Sequence, residues 1–100
     1  MVTSLPVIQN LEELRDYVSH TICQHSQLEV GAFPLTERIL IRASRPCGIY
    51  FCLHGPRAVL YTAIWETQHN TVLFYDCSGT RFGKVQLVAA VRLELEMVAA

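Results

Sequence analysis

The spacing of apolar residues changes about one third of the way along the chain, and this change constrains the fold more than any other feature. Before it, Leu11, Leu14, Val18 and Ile22 recur at intervals of three and four, which places them on one side of an α-helix. After it, apolar and polar residues alternate, as in strands with one buried face. A single helical stripe followed by alternating segments predicts a helix packed on a sheet.

The predicted helix covers residues 10–26. Asn10 is a good N-cap residue, and Glu13 follows it at the spacing of a capping box. Gly31 and Pro34 end the helical pattern. Residues 1–9 are then an N-terminal extension that precedes the helix.

Turn-forming residues divide residues 35–87 into five predicted strands. The strands cover residues 35–43, 47–54, 58–67, 71–76 and 80–87. Because the connections are short, consecutive strands are expected to be antiparallel neighbours. The sequence therefore predicts one α+β domain over residues 1–100, with the N-terminal helix packed on a five-stranded antiparallel meander in two layers.

The C-terminal segment, residues 88–100, fits two interpretations. Val91, Leu93, Leu95 and Met97 alternate with charged residues, which is typical of a strand. The alanines on either side of them are strong helix formers. The alternation slightly favours a strand, which would make the sheet six-stranded.

Composition excludes several classes of protein. Eight Lys and Arg against nine Asp and Glu give a net charge of −1, unlike a protein that binds nucleic acid by neutralising phosphates. No apolar run reaches the ~18 residues of a membrane helix, and the first residues do not resemble a signal peptide. We therefore expect a cytoplasmic protein without a membrane partner. Its four cysteines are expected to be reduced; they are Cys23, Cys47, Cys52 and Cys77.

Motifs for catalysis, metals and cofactors are weak or absent from the sequence. No glycine-rich phosphate loop occurs, so no cofactor is expected. Cys47 and Cys52 lie five residues apart in one predicted strand, so they point to opposite faces and do not form a metal site. Cys52 and His54 share a face, as a cysteine nucleophile and its base would. No nucleophile motif surrounds them, so a cysteine-dependent enzyme ranks third among the possible functions.

The predicted hairpins assign the side chains of the sheet to two faces. The assumed opposing pairs at the turns are His54–Arg57, Thr67–Thr71 and Cys77–Thr80. One face is then aliphatic or Phe and is expected to receive the helix. It carries Ile49, Phe51, Leu53, Leu60, Ile64, Val72, Phe74 and Val85. Asp76 and Arg81 are expected to form a cross-strand ion pair at its margin.

The opposite face collects five of the nine aromatic residues. They are Tyr50, Tyr61, Trp65, Tyr75 and Phe82, with Cys52, Val59, Ala63 and Leu73 between them. A sheet face exposed to water is normally polar, so this face is expected to be covered. The covering element could be the C-terminal segment, a second copy of the protein, another protein or a ligand.

The predicted function is protein association through this aromatic face, most simply as a homodimer, with Arg57 included in the interface. The alternative is a small-ligand or single-stranded nucleic-acid site on the same face, because aromatic residues on an open sheet can stack bases. Nucleic acid is the weaker option, because RNP-type motifs are absent. We expect a non-enzymatic protein.

Overall fold

The computed structural model describes residues 7–88 and confirms the predicted α+β fold. The elements are α1 (Leu11–Ser26), β1 (Leu35–Arg42), β2 (Arg45–His54), β3 (Leu60–Glu66), β4 (Thr71–Tyr75) and β5 (Arg81–Gln86). The strands form one antiparallel sheet in chain order, and α1 packs against β2 and β3. Residues 89–100, on which the predicted sixth strand depends, lie outside the described residues.

The helix begins and ends as its sequence predicts. The Asn10 side chain accepts a hydrogen bond from the Glu13 N–H (2.8 Å), and the Glu13 carboxylate accepts one from the Gln9 N–H (2.9 Å). Gln27 ends the helix in the left-handed conformation (φ 58°). These caps satisfy backbone groups that the ends of a helix leave unpaired.

The core lies between α1 and one face of the sheet. Leu14, Val18 and Ile22 of the helix are fully buried against that face. Burying an aliphatic side chain of this size stabilises a fold by about 1.5–3 kcal/mol. The sheet side of the core comprises Ile49, Phe51, Leu53, Ala63, Trp65, Val72 and Phe74.

The connection between β2 and β3 corrects the predicted register. His54 opposes Leu60 rather than Arg57. The Gly55 N–H donates to the Val59 carbonyl (2.8 Å) across a longer connection, in which Arg57 and the residue after it adopt left-handed φ angles. The observed pairing of β2 with β3 is thus displaced by three residues from the predicted pairing. Because side chains alternate with a period of two, an odd displacement moves every β3 side chain to the other face.

The connection between β3 and β4 is also longer than predicted. Glu66, rather than Thr67, opposes Thr71, and Asn70 takes the left-handed conformation (φ 49°) that the extra residue needs. This displacement of one residue is again odd. The two displacements cancel for β4, whose side chains keep their predicted faces relative to β2.

Only β3 therefore exchanges its faces. Leu60 and Ile64, predicted to lie in the core, are on the side of the sheet away from α1. Tyr61, Ala63 and Trp65, predicted to lie on the aromatic face, are on the helix side.

A bulge in β5 moves Phe82 to the helix side as well. Phe74 opposes Gly83 and Tyr75 opposes Arg81, which leaves Phe82 without a partner in the pairing. Its ring lies 5.8 Å from that of Phe74 and stacks on the His25 ring at 3.7 Å. The prediction that Phe82 lies on the aromatic face is wrong for this reason.

The predicted ion pair between Asp76 and Arg81 does not form either, because the Asp76 carboxylate is used within its own turn. It accepts hydrogen bonds from the Ser78 hydroxyl (2.6 Å), the Ser78 N–H (2.9 Å) and the Thr80 N–H (3.0 Å). The Ser78 hydroxyl bond, followed by the Thr80 bond, lowers the pKa of Asp76.

Candidate functional site

The face of the sheet turned away from α1, which we call the open face, is the largest candidate site. Within residues 7–88, no helix or strand packs on it. The register places on it Thr36, Arg38 and Leu40; Gly48, Tyr50, Cys52 and His54; Leu60, Thr62, Ile64 and Glu66; Thr71, Leu73 and Tyr75; and Arg81, Lys84 and Gln86.

One line of side chains crosses the middle of the open face, and we call it the central row. It runs from β1 to β5 through Arg38, Tyr50, Ile64, Leu73 and Lys84. The three middle side chains are apolar or aromatic and half-buried, and the two cations at the ends are exposed. With strands about 4.8 Å apart, the row is about 19 Å long.

Arg38 also contacts the aromatic centre of the row. Its guanidinium carbon lies 5.3 Å from the centroid of the Tyr50 ring, within the range of a cation–π interaction. A ligand that reaches Tyr50 therefore meets a positive charge beside the ring.

Two of the six predicted interface residues lie on the open face. Tyr50 is in the central row, and Tyr75 lies in the adjacent row between Thr62 and Arg81. Both tyrosines are half-buried.

The other four predicted interface residues lie elsewhere. Trp65 is 1% exposed, and its indole N–H donates to the Asn70 side-chain oxygen (2.9 Å) inside the fold. Tyr61 and Phe82 pack against the core. Arg57 is exposed in the turn between β2 and β3, outside both faces of the sheet.

Sequence reasoning missed Arg38 and Ile64 as site residues. The predicted register places Ile64 in the core with Leu60, and it assigns Arg38 to neither face of the sheet. A rule that Trp65 must be buried would have identified the correct side of β3.

Cys52 and His54 share the open face as predicted, but their surroundings do not activate the thiol. Cys52 is buried, and this burial raises the pKa of its thiol. His54 Nε2 lies 2.9 Å from the Thr36 hydroxyl, so that nitrogen already has a partner. A raised thiol pKa reduces the thiolate that a nucleophile needs.

Residues 7–88 offer neither a cluster of metal ligands nor a membrane-spanning helix. These residues contain no group of three or more His, Cys, Asp and Glu side chains placed to hold a metal ion. No helix among them is long and apolar enough to cross a membrane.

The chain matches no model of a known protein family, no curated protein and no solved structure.

Proposed function

We propose that the protein is a non-enzymatic, cytoplasmic protein-interaction module that docks a partner on the open face. The partner presents an apolar segment flanked by carboxylates. The central row carries this proposal, because it places three apolar side chains between two cations. The four cysteines, all free, are consistent with a reducing compartment.

The apolar part of the proposal rests on the middle of the row. Tyr50, Ile64 and Leu73 lie side by side on a face that no described helix or strand covers. A sheet face exposed to water is normally polar, and contiguous apolar patches on surfaces mark interaction sites. Tyrosine is suited to such a site, since its ring is apolar and its hydroxyl tolerates water.

The charge of the open face identifies the chemistry of the partner. Arg38, Arg81 and Lys84 are its cations. Glu66 is its one carboxylate among residues 7–88, and it is already bound by His69 through the backbone N–H (2.6 Å) and Nδ1 (2.9 Å). The face is thus positive although the whole chain carries a charge of −1. Electrostatic complementarity favours an acidic partner.

The dimensions of the open face favour a segment over a second copy of the protein. Five strands about 4.8 Å apart, with about seven residues each at 3.3 Å, cover roughly 570 Å². A stable protein–protein interface buries about 800 Å² on each partner. The open face alone therefore suits a short segment better than a stable dimer.

Charge also weighs against self-association, which remains the alternative proposal. In a two-fold dimer with aligned strands, the axis runs either along the strands or across them. If the axis runs along the strands, Arg38 of one copy faces Lys84 of the other. If the axis runs across the strands, each cation faces the same residue of the other copy. Both arrangements oppose like charges, which is unfavourable.

The test selects binders from a display library of random 12-residue peptides with the full chain as bait. We expect enrichment of peptides in which Asp or Glu flank apolar residues. Ile64→Glu is expected to abolish this enrichment, and Arg38→Gln to remove its acidic bias. Ile41→Glu is the matched control, because Ile41 is an exposed isoleucine of β1 outside the central row.

Four results would overturn the proposal, the last of which assigns the open face to nucleic acid. The first is a lack of enrichment by the wild-type chain. The second is enrichment that Ile64→Glu leaves unchanged, although thermal melting shows that the variant is folded. The third is a concentration-dependent mass in sedimentation that Ile64→Glu abolishes, which would assign the face to a second copy. Tight, salt-sensitive binding of a single-stranded oligonucleotide instead of peptides would assign it to nucleic acid.

A further inference from the structure

We infer that a shallow cavity at one end of the open face is a binding site for a phosphate group. The cavity has a volume of about 150 Å³ and is lined by Glu66, His69, Thr71, Leu73, Arg81 and Lys84. It lies beside the hairpin that joins β3 and β4. The size of the cavity and the two cations that line it carry the inference.

The cavity is large enough for one small chemical group, such as an oxyanion, but not for a drug-sized molecule. At about 30 Å³ for each water molecule, 150 Å³ holds about five waters. Pockets for drug-sized molecules measure about 300–1,000 Å³. A tetrahedral oxyanion of five heavy atoms matches the available space.

The bulge at Phe82 places two cations in this cavity. Arg81 and Lys84 are three residues apart, so in an unbroken strand they would lie on opposite faces. Because Phe82 is an extra residue in the bulge, Arg81 and Lys84 both lie on the open face, and both line the cavity. Within residues 7–88, neither forms an ion pair with a carboxylate. The lining therefore offers two cations that no described carboxylate binds directly.

The histidine of the cavity is held in one orientation. The Glu66 carboxylate faces His69 Nδ1 at 2.9 Å and also accepts a hydrogen bond from the His69 backbone N–H (2.6 Å). The carboxylate partner makes Nδ1 a donor and holds the ring at the edge of the cavity. Glu66 is itself an anion, but Arg81 and Lys84 are two cations, so the lining stays positive by one charge.

The donor set fits phosphate better than a carboxylate. A guanidinium fork satisfies a carboxylate by itself, whereas phosphate accepts bonds on three or more oxygens and is bound by Arg and Lys together. Two sources could supply the group: a free phosphate or small phosphate ester, and a phosphorylated side chain of a partner docked on the open face. Only the second source rests on the proposed function.

The first experiment titrates the isotope-labelled full chain with inorganic phosphate at constant ionic strength and follows backbone amide signals by NMR. We expect saturable shifts at His69, Arg81 and Lys84. Arg81→Gln is expected to weaken binding roughly tenfold, the loss of one charge-assisted hydrogen bond. Arg38→Gln is the matched control, because it removes the same charge from the same face at the opposite end of the central row. Its binding constant should change less than about twofold, the typical scale of a screened distant charge.

Two results of this titration would overturn the site. One is a set of amide shifts that grow linearly with phosphate concentration and never saturate. Chloride, as a non-specific anion, would produce such shifts. The other is equal weakening by Arg38→Gln and Arg81→Gln, which would indicate general attraction to a positive face.

A second experiment separates the two sources. An acidic peptide from the display selection is compared with the same peptide carrying phosphoserine in place of one Glu. A gain in affinity that Arg81→Gln removes assigns the site to a phosphorylated partner. Saturable phosphate binding that survives Ile64→Glu, without any gain for the phosphopeptide, assigns it to free phosphate. The failure of the docking proposal is thus distinguishable from the failure of the phosphate site.

Discussion

Replacing the half-buried Asn70 with Ala should strongly destabilise the fold, because Asn70 joins three parts of the molecule. Its side-chain oxygen accepts the indole N–H of Trp65 (2.9 Å), and its amide donates to the Leu87 carbonyl (3.3 Å). Its backbone carbonyl accepts the Leu87 N–H (2.9 Å). Its own backbone is left-handed, with φ 49°.

The expected loss follows from these contacts. An unpaired indole N–H on a residue that is 1% exposed costs about 1–3 kcal/mol. The lost bond to Leu87 contributes about 1 kcal/mol, and alanine in the left-handed region costs about another 1 kcal/mol. We therefore expect Asn70→Ala to lower the free energy of unfolding by about 3–5 kcal/mol, a large part of the ~5–15 kcal/mol of a typical domain.

The assay is urea unfolding followed by circular dichroism. Asn70→Gly is the control for the backbone, since glycine accepts the left-handed φ and should be about 1 kcal/mol more stable than the alanine variant. A double-mutant cycle with Trp65→Phe should give a coupling energy of about 1 kcal/mol or more. A loss below about 0.5 kcal/mol for Asn70→Ala, or additive effects in the cycle, would refute the hydrogen bond between Asn70 and the buried Trp65 indole.

Three further predictions follow from local geometry. Gly48→Ala should destabilise the protein by about 1–3 kcal/mol, because the new Cβ would overlap the Trp65 carbonyl oxygen, and an unchanged melting temperature would contradict this. Asp76 stabilises the fold above its unfolded pKa near 3.8, so the stability difference between wild type and Asp76→Asn, measured by urea unfolding, should vanish as the pH falls through its lowered folded-state pKa. Arg15→Gln, which breaks the exposed ion pair with Glu37, should cost less than about 1 kcal/mol in the same assay.

The elements of the fold could be predicted from the sequence because local patterns specify them. The apolar stripe and the Asn10 cap predict a helix over residues 10–26, and the structure places it at Leu11–Ser26. Short turns predict consecutive antiparallel strands, and the sheet order is β1 to β5. These features depend on residues close together in the chain.

The faces of the sheet could be predicted only in part, because they depend on the exact length of each connection. The turn after β2 uses left-handed φ angles at Arg57 and Ala58, which non-glycine residues adopt uncommonly and no sequence pattern indicates here. The bulge at Phe82 has no sequence signal either. As a result, Tyr50 and Tyr75 were identified as residues of the open face, and Ile64 was not.

The most direct test of the docking surface is solvent exposure of its methyl groups in the full chain. A neutral gadolinium chelate should relax the methyl protons of Ile64 and Leu73 faster than those of Val72, which is fully buried. We predict the same fast relaxation in dilute and concentrated samples, and protection only when an enriched acidic peptide is added. If Ile64 and Leu73 are as protected as Val72 in the dilute sample, the open face is already covered and cannot be the docking site.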